Sequence, residues 1–246
     1  MQRYFAKNKV ENKIYLYDTD IHHIKNVMRM KPNDNIECVY NKKVYLCKVI
    51  DYNNNIEIIE EIKENNELEC QIIVAIGLVK EQKLDLILQK LTELGVSKII
   101  PLNMERSIVK LDNKKESKKI ERWTSICKEA SEQSHRNTIP EITNVMNIKD
   151  LDKIAADSKL VCSVKEKDNL ISKYLQNKKK YATIMYVIGP EGGITDKEEE
   201  TLNKYGFESV SLGSRVMRVE TAAIYIASIT NFYCMGWGIW DILFWY

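Results

Sequence analysis

The strongest constraint on the fold of this chain is a regular alternation, after residue 70, of unbroken apolar runs with amphipathic segments. The runs "CQIIVAIGLV" and "YATIMYVI" are apolar along nearly their whole length, as expected for strands covered on both faces of a sheet. The segment "EQKLDLILQKLTELGV" instead places its apolar residues on one side of a helix, and Gly95 marks its end. This alternation predicts a mainly parallel α/β sheet.

The rest of this region follows the same pattern. A charged helix is predicted from about Glu116 to His135 and a short helix near Asn169 to Gln176, with strands at "LVCSV" and "ESVSLG". Thr195 and Glu198 have the spacing of a capping box, and Gly206 closes the helix that they begin. The segment "SRVMRVETAAIYIASI" predicts a loop followed by a final helix.

The first 70 residues have a different pattern. Short β-branched or aromatic runs, such as "NIECVY" and "KVYLCKVIDY", are broken by Asn, Asp and Lys turns. They predict a small antiparallel barrel or sheet. The polar segment 63–69 separates the two patterns, so we expect one domain at residues 1–68 and a second at 69–246.

One helix is predicted among these first strands. Asp18 or Thr19 can cap its first turn with a side-chain oxygen. Its apolar stripe, which we expect to face the core, comprises Ile21, Ile24, Val27 and Met28.

Composition narrows the class of protein. The chain has 246 residues, 44% of them hydrophobic, so it can bury a sizeable core. Its formal net charge of +2 is too small for a histone-like nucleic-acid binder but is compatible with a local basic patch. The six cysteines form no CxxC pair, which argues against structural zinc and predicts reduced thiols in a cytosolic protein. The charged start, "MQRYFAKNKV", predicts no secretory signal.

The segment 224–246 raises the alternative of a membrane span. Its 23 residues carry Asp241 as their only charge, and about 20 apolar residues span a bilayer. However, it contains Ser, Thr, Asn and two Gly residues, and no cluster of Lys or Arg flanks it. We therefore favour a buried C-terminal helix followed by an aromatic tail, and we expect no membrane partner.

A glycine-rich turn, "IGPEGGIT", follows a predicted parallel strand. Gly189, Gly192 and Gly193 stand within five positions, although the whole chain has only 9 Gly. Their spacing fits neither a Walker loop nor GxGxxG, so a phosphate-binding loop is not favoured. Two explanations stay open: the glycines satisfy positive φ angles, or a ligand approaches the backbone closely.

A second turn, "LGSRVMRVETAA", again places a glycine just after a strand. Arg215, Arg218 and Glu220 follow at the entry to the last helix. Guanidinium groups beside a glycine-lined cleft suit an anionic partner, or negative charge that develops in a reaction. A structural Arg–Glu pair that caps the last helix is the alternative.

Together, the two turns resemble the paired motifs of the bacterial 16S rRNA uridine-N3 methyltransferases of the SPOUT superfamily. The resemblance covers residues 1–235 in order and spacing, and includes "QKLTELGVSKIIPLNMERSIVKL", "EASEQSHRNTIPEI" and "HHIKNVMRMKPND". Asn33 and His135 stand where the family commonly has Gly, and Met217 where it has Leu. Asn enters left-handed turns readily. The tail "GIWDILFWY" does not match the family and is read as a dimer contact, a disordered end or an artefact.

The resemblance implies an N-terminal PUA-like β-barrel that binds RNA and a C-terminal SPOUT domain, whose parallel sheet ends in a trefoil knot. It also implies a cytoplasmic homodimer that acts on 16S rRNA or the small ribosomal subunit, with S-adenosyl-L-methionine as cofactor and no metal. A side chain on Gly189 or Gly193 would then fill space that the cofactor needs. The residues expected around the cofactor are Cys162, Ile188, Gly189, Pro190, Gly192, Gly193, Leu212, Gly213, Val216, Met217, Arg218 and Thr221.

Roles for charged residues follow from the same resemblance. The N3 atom of uridine must lose its proton before it accepts a methyl group, so the site must favour the uridinate anion. Arg218 or Arg215 would stabilise that anion. Glu220 would orient it or accept the proton, and Glu132 is the other candidate base. The residues expected to contact RNA are His22, Arg29, Arg106, Lys110 and Arg136. For the last three a contact with the partner subunit is the alternative, and for Arg106 an ion pair near Glu105 is another.

Two other functions stay open at this point. The first is a SPOUT methyltransferase with another target, such as guanosine N1 in tRNA or a ribose 2'-hydroxyl group. The second is an RNA-binding protein that keeps the fold without the chemistry. The resemblance favours uridine N3 in 16S rRNA over both, because it extends through the N-terminal domain and leaves both glycine-containing motifs intact.

Overall fold

The computed structural model describes residues 1–110, 113–176 and 182–235. By the contacts within it, the chain divides into two units. The first comprises Met1–Glu67 and Lys128–Ile139, and the second comprises Leu68–Cys127 and Pro140–Tyr246. The first unit ends at Glu67, one residue before the expected boundary, and it also includes the segment Lys128–Ile139, which the sequence places in the second domain.

The first unit is built on a six-stranded sheet. Its strands follow the order β1-β4-β5-β6-β3-β2, in which β1 is parallel to β4 and the other neighbours are antiparallel. The core of this unit is formed by apolar side chains such as Ile14, Ile36 and Ile56, all fully buried. The strands are β1 (Arg3–Phe5), β2 (Asn8–Val10), β3 (Lys13–Tyr15), β4 (Asn35–Tyr40), β5 (Lys43–Asp51) and β6 (Asn55–Ile62).

The helix of the first unit departs from the predicted stripe. It begins as α1 (Asp18–His22), with Tyr17 rather than Asp18 or Thr19 at the N-cap, and continues as a π-helical turn over His23–Val27. A π-helical turn bonds residue i to residue i+5, so later side chains rotate away from the face that a 3.6-residue period predicts. Ile24 is fully buried, as predicted, whereas Val27 is 59% exposed. The predicted burial of Val27 and Met28 is therefore wrong.

The second unit contains the parallel sheet that the sequence predicts. Its strands follow the order β12-β10-β11-β7-β8-β9, and each neighbouring pair is parallel. The central strands are almost completely buried, which explains their unbroken apolar runs. The strands are β7 (Gln71–Gly77), β8 (Lys98–Leu102), β9 (Glu141–Ile142), β10 (Ser158–Cys162), β11 (Thr183–Ile188) and β12 (Glu208–Val210).

The helices lie close to their predicted positions. Thr195 accepts a hydrogen bond from the backbone of Glu198 and the reciprocal bond is present, which confirms the capping box, while Gly206 ends that helix with φ +81°. A 3₁₀ helix covers Ile148–Lys153. The helices are α2 (Glu81–Glu93), α3 (Asn113–Gln133), α4 (Ile171–Gln176), α5 (Asp196–Lys204) and α6 (Val219–Cys234).

The last helix is buried along one face, as predicted. Ala223, Ile226 and Thr230 have no exposed surface, and the Thr230 hydroxyl lies 2.8 Å from the buried Tyr186 hydroxyl. Among the residues described, no helix has the length and apolarity that crossing a membrane requires. The aromatic tail, for which three interpretations stay open, falls in residues 236–246 and lies outside the described residues.

The segment 128–139 is held in the first unit by buried charges. Arg3 is 2% exposed, and its guanidinium binds the carboxylates of Glu37 and Glu64 and donates to the backbone carbonyl of His135 at 2.6 Å. Buried arginines are stable only when paired in this way. These contacts join residues that are far apart in the sequence, and the periodicity of the sequence does not predict such contacts.

Two cysteines correct the expectation of six reduced thiols. Cys70, just before β7, forms a disulfide with Cys234 at the end of α6. The other four, Cys38, Cys47, Cys127 and Cys162, are free. The two bonded cysteines are 164 positions apart, so their spacing in the sequence carried no signal of the pairing.

Candidate functional site

A cavity of about 780 Å³ opens at the carboxyl edge of the parallel sheet. Three neighbouring strands, β10, β11 and β12, end there, and the segment after each strand forms part of the wall. This is the edge at which open α/β sheets bind ligands. The volume lies within the range of sites for small molecules and cofactors, roughly 300–1,000 Å³.

The glycine turn after β11 forms one wall of the cavity, and each of its positions requires glycine for a different physical reason. Gly193 has φ +74°, and a Cβ placed there would meet no atom within 4 Å. A Cβ on Gly189 would instead lie 2.7 Å from Ile194 Cγ1, and one on Gly192 would lie 2.8 Å from Arg106 Cβ. The expectation for Gly189 is therefore corrected: its missing side chain makes room for the turn itself.

The entry to α6 forms a second wall. Arg215 and Arg218 are exposed and line the cavity, and within the described residues neither guanidinium has an ion pair or a hydrogen bond. Glu220 lies in the first turn of α6, and its Oε2 atom is buried without a hydrogen-bond partner among the described residues. A structural Arg–Glu cap is therefore not observed. Two free cations and a carboxylate are left beside the cavity.

Comparison with known proteins assigns the family. Residues 66–231 match a family model described as an RNA methyltransferase domain, and residues 16–62 match one described as an RNA methyltransferase PUA domain. The chain is 39% identical over 229 residues to the ribosomal RNA small subunit methyltransferase E of Mesomycoplasma hyopneumoniae (strain 232), across 92% of this chain and 97% of that protein. The chain belongs to this RNA methyltransferase family.

Other members of the family agree with this assignment. The ribosomal RNA small subunit methyltransferase E of Bacillus subtilis (strain 168) is 38% identical over 247 residues, across 94% of this chain and 96% of that protein. A crystal structure of the enzyme of the same name from Neisseria gonorrhoeae, bound to S-adenosyl methionine, has a TM-score of 0.82 and 31% identity and covers 96% of this chain and 98% of that chain. The fold and the family are therefore shared over nearly the whole length.

Most residues that the resemblance places around a methyltransferase cofactor line this cavity. Thr221 does not line it and is exposed, because α6 turns this position away from the wall to which Val219 and Ala222 contribute. The residues that do line it, as predicted, are Cys162, Ile188, Gly189, Pro190, Gly192, Gly193, Leu212, Gly213, Val216, Met217 and Arg218. Their role in cofactor binding stays a prediction.

Most of the third wall was not predicted from the sequence. Beyond Cys162, the segment 163–167 after β10 lines the cavity, and so does Lys83 from α2. The available signal was the strand itself, since neighbouring parallel strands end at one edge. Burial raises the pKa of the Cys162 thiol to about 12. This thiol is therefore protonated near neutral pH and forms an apolar part of the wall.

Two lysines form the ion pairs that fix the charged rim of the cavity. Lys83 on α2 reaches Glu191 of the glycine turn at 3.0 Å. Burial alone would raise the pKa of Glu191, but the hydrogen bond from Lys83 outweighs it and holds the pKa below its usual range. Lys165 pairs with Asp196 and, at 3.3 Å, with Glu199, so α5 is tied to the wall after β10.

The residues predicted to contact RNA fall into two groups. His22, Arg29 and Lys110 are exposed and available. Arg136 is 4% exposed and pairs with Glu67 at 2.6 Å, so the structure corrects its predicted RNA contact to a structural role in the first unit. Arg106 is exposed but donates to the carbonyl of Gly192 at 3.1 Å, rather than forming the alternative ion pair near Glu105.

The candidate base Glu132 has structural partners in the first unit. Its Oε1 atom accepts a hydrogen bond from the backbone of Phe5 at 3.1 Å and lies 3.4 Å from Lys128 Nζ. Burial raises the pKa of its carboxyl group, although the charge of Lys128 opposes the shift. Its role as a base stays a prediction.

Over the described ranges, no cluster of three or more His, Cys, Asp or Glu side chains is placed to hold a metal ion.

Proposed function

We propose that this chain is an S-adenosyl-L-methionine-dependent methyltransferase that forms 3-methyluridine in 16S rRNA. The single observation that carries the proposal is the cavity, whose walls come from the two motif segments at the ends of β11 and β12. Family membership supports the reaction class, and the relatives are named for ribosomal RNA of the small subunit. The neighbour bound to S-adenosyl methionine supports the cofactor.

The residues of the cavity fit this cofactor. Ile188, Leu212 and Met217 supply apolar surface for an adenine ring, and the open face of Gly193 leaves backbone accessible to polar groups of a ligand. When bound, the cofactor supplies a methyl group on a positively charged sulfur. We therefore propose that the three strand-end segments hold it.

The cationic entry to α6 fits the nucleophile. In the proposed reaction, Arg218 or Arg215 donates hydrogen bonds to a uracil carbonyl oxygen and stabilises the negative charge that develops as N3 loses its proton. Glu220, one of whose carboxylate oxygens has no hydrogen-bond partner within the described ranges, accepts that proton directly or through water, or orients the base. A preorganised guanidinium beside an apolar cavity stabilises such charge more than water does.

Several further features belong to the proposal. The first unit, which contains the match to an RNA methyltransferase PUA domain, would bind rRNA or the small subunit through exposed residues that include His22 and Arg29. The expected homodimer, the trefoil knot in the second unit and the cytoplasmic location follow from the family resemblance. Each has its own test: sedimentation for the dimer, an experimental structure for the knot and fractionation for the location.

The decisive experiment combines binding and product analysis. Small subunits from a strain that lacks 3-methyluridine are incubated with the protein and cofactor, and the nucleosides are analysed by mass spectrometry. The proposal expects 3-methyluridine to appear. A 2'-O-methylated nucleoside, or 1-methylguanosine from added tRNA, would instead support another RNA target. If calorimetric titration shows that the cofactor binds but none of these substrates is methylated, the proposed substrate is wrong.

A further inference from the structure

A tight turn packs against the outer side of the glycine turn. This turn, Met104–Ser107, follows β8 and is closed by a hydrogen bond from the Ser107 backbone to the Met104 carbonyl at 3.1 Å. From it, Arg106 Nη1 donates to the carbonyl oxygen of Gly192 at 3.1 Å. Gly192 lines the cavity, whereas Arg106 does not. Arg106 therefore contacts the outer face of a wall whose inner face meets the cavity.

Steric fit makes this contact specific. A Cβ on Gly192 would lie 2.8 Å from Arg106 Cβ, a distance at which something must shift, and 3.2 Å from the Arg106 carbonyl oxygen, which is also a tight contact. The stem of Arg106 thus occupies the place that a side chain at position 192 would take. The absence of that side chain is explained by Arg106 and not by the cavity.

The same turn also holds the far end of the glycine segment. The backbone N–H of Glu105 donates to Glu198 Oε1 at 2.8 Å, and the hydroxyl of Thr195 donates to Glu105 Oε2 at 3.3 Å. Thr195 is the N-cap of α5, so the glycine turn is attached on both sides of Gly193. Gly193, at positive φ, would otherwise leave this stretch with considerable conformational freedom.

We infer that Arg106 is a positioning residue for the cofactor: through the Gly192 carbonyl it holds the glycine turn in its binding geometry. This inference rests on the proposed function, since it needs the cavity to be the cofactor site. It differs from the RNA contact that the sequence predicts for Arg106. A pure RNA contact would change RNA affinity alone, whereas a positioning residue changes cofactor affinity when no RNA is present.

The test is calorimetric titration of S-adenosyl-L-methionine into RNA-free protein. Arg106→Met keeps the aliphatic stem against Gly192 but removes the donors, and we expect its Kd to rise about tenfold. Arg106→Lys retains one donor and the charge and should recover most of the affinity. Lys118→Met removes an exposed charge of α3 that does not line the cavity, and it should bind as the wild type does. Melting temperatures without ligand should agree within about 2 °C, because the side chain is exposed.

Methylation assays supply a second readout. For Arg106→Met the inference expects a higher KM for the cofactor and a kcat within about twofold of the wild type at saturating cofactor. A cofactor Kd equal to that of the wild type, with a higher KM for RNA only, would overturn the inference and leave the proposed function standing. A wild-type protein that does not bind the cofactor would instead overturn both, so the two failures are distinguishable.

Discussion

At the entry to α6, the Arg215 and Arg218 guanidinium groups and one buried oxygen of Glu220 have no partner in the part of the chain that the structure describes. Proteins seldom leave such groups without partners unless a ligand or a reaction supplies them. Arg215 and Arg218 cost little to leave free, because both are exposed to water. Glu220 is the stronger indication of a ligand or a reaction, because its unpartnered oxygen is buried, although the positive end of the α6 dipole favours its charge.

Replacing Arg218 by Ala should lower kcat for methylation by roughly 10²–10³, the usual effect of losing one donor to a developing anion. The Kd for S-adenosyl-L-methionine should change less than about threefold. Arg218→Lys should retain intermediate activity, because it keeps the charge but not the planar pair of donors. Arg122→Ala, which removes an exposed arginine of α3 that pairs with Asp85, is the matched control. Full turnover in Arg218→Ala would remove this residue from the reaction.

His135 has φ +54°, a left-handed conformation that disfavours residues with a side chain. Gly, which the resemblance leads us to expect at this position in the family, adopts such a conformation without a steric penalty. His135→Gly and His135→Ala both lose the imidazole and differ only in the Cβ. The Gly variant should therefore be the more stable by about 1 kcal/mol, measured as the difference between their urea unfolding midpoints. Equal midpoints would argue against strain at this residue.

At the scale of the structural elements, the segment after α3 makes contacts that no local sequence pattern predicts. Glu67 Oε1 accepts backbone hydrogen bonds from Asn137 at 2.8 Å and Thr138 at 3.0 Å, while its other oxygen pairs with Arg136. One carboxylate thus organises three consecutive residues of the first unit. This explains how the segment stays with strands that precede it by 60 residues or more.

The same carboxylate should make stability depend on pH. Burial alone would raise the pKa of Glu67, but Arg136 outweighs it and holds the pKa below its usual range. A lowered pKa means that the folded state binds fewer protons than the unfolded state, so this stabilisation exists above the ordinary glutamate pKa and is lost as pH falls through the folded value.

Glu67→Gln should accordingly lower the free energy of unfolding at pH 7 by roughly 3 kcal/mol, because it removes the carboxylate charge that pairs with the buried Arg136 guanidinium. The gap from the wild type should close as pH falls toward 3. Glu61→Gln, which removes an exposed partner of Lys43, should change little and serves as the control. The measurement is a series of urea midpoints, and a gap that is constant with pH would contradict the assignment.

On the scale of the whole molecule, the disulfide joins the residue just before β7, the first strand of the second unit, to the end of α6. It closes nearly the entire unit into one covalent loop, since Cys70 and Cys234 are separated by 164 positions. Crosslinks of this kind restrict the unfolded chain. Helix α6 begins at the cavity and ends at the crosslink, so the helix with the catalytic candidates is anchored at its far end.

Reduction of this disulfide should lower the free energy of unfolding by roughly 3 kcal/mol. Cys70→Ser and Cys234→Ser should each cause a similar loss, and the double variant should lose no more than either single variant. Thermal melting with and without a thiol reductant measures this, and a non-reducing digest should yield the linked peptides by mass spectrometry. A melting temperature of the wild type that is the same with and without the reductant would contradict the crosslink.

Much of the second unit was predictable because its signals are local. The apolar runs of β7 and β11 are continuous, the Thr195 box is four residues long, and two short motifs supplied most of the cavity wall. Asn33 was expected in a left-handed turn and has φ +77°. Periodicity and capping act over a few residues, so a single sequence contains them in full.

Contacts between distant residues had to come from the folded chain. The π-helical turn leaves Val27 exposed. Glu67 binds residues 136–138 within the first unit, and Cys234 forms a disulfide with Cys70. Gly192 is the sharpest case: the sequence showed an unusual glycine, but the reason for it is Arg106, 86 positions earlier. Secondary structure depends mostly on neighbouring residues, so the sequence by itself determines it. A close contact between two segments depends on which distant parts of the chain meet when the core is packed, so only the tertiary structure decides it.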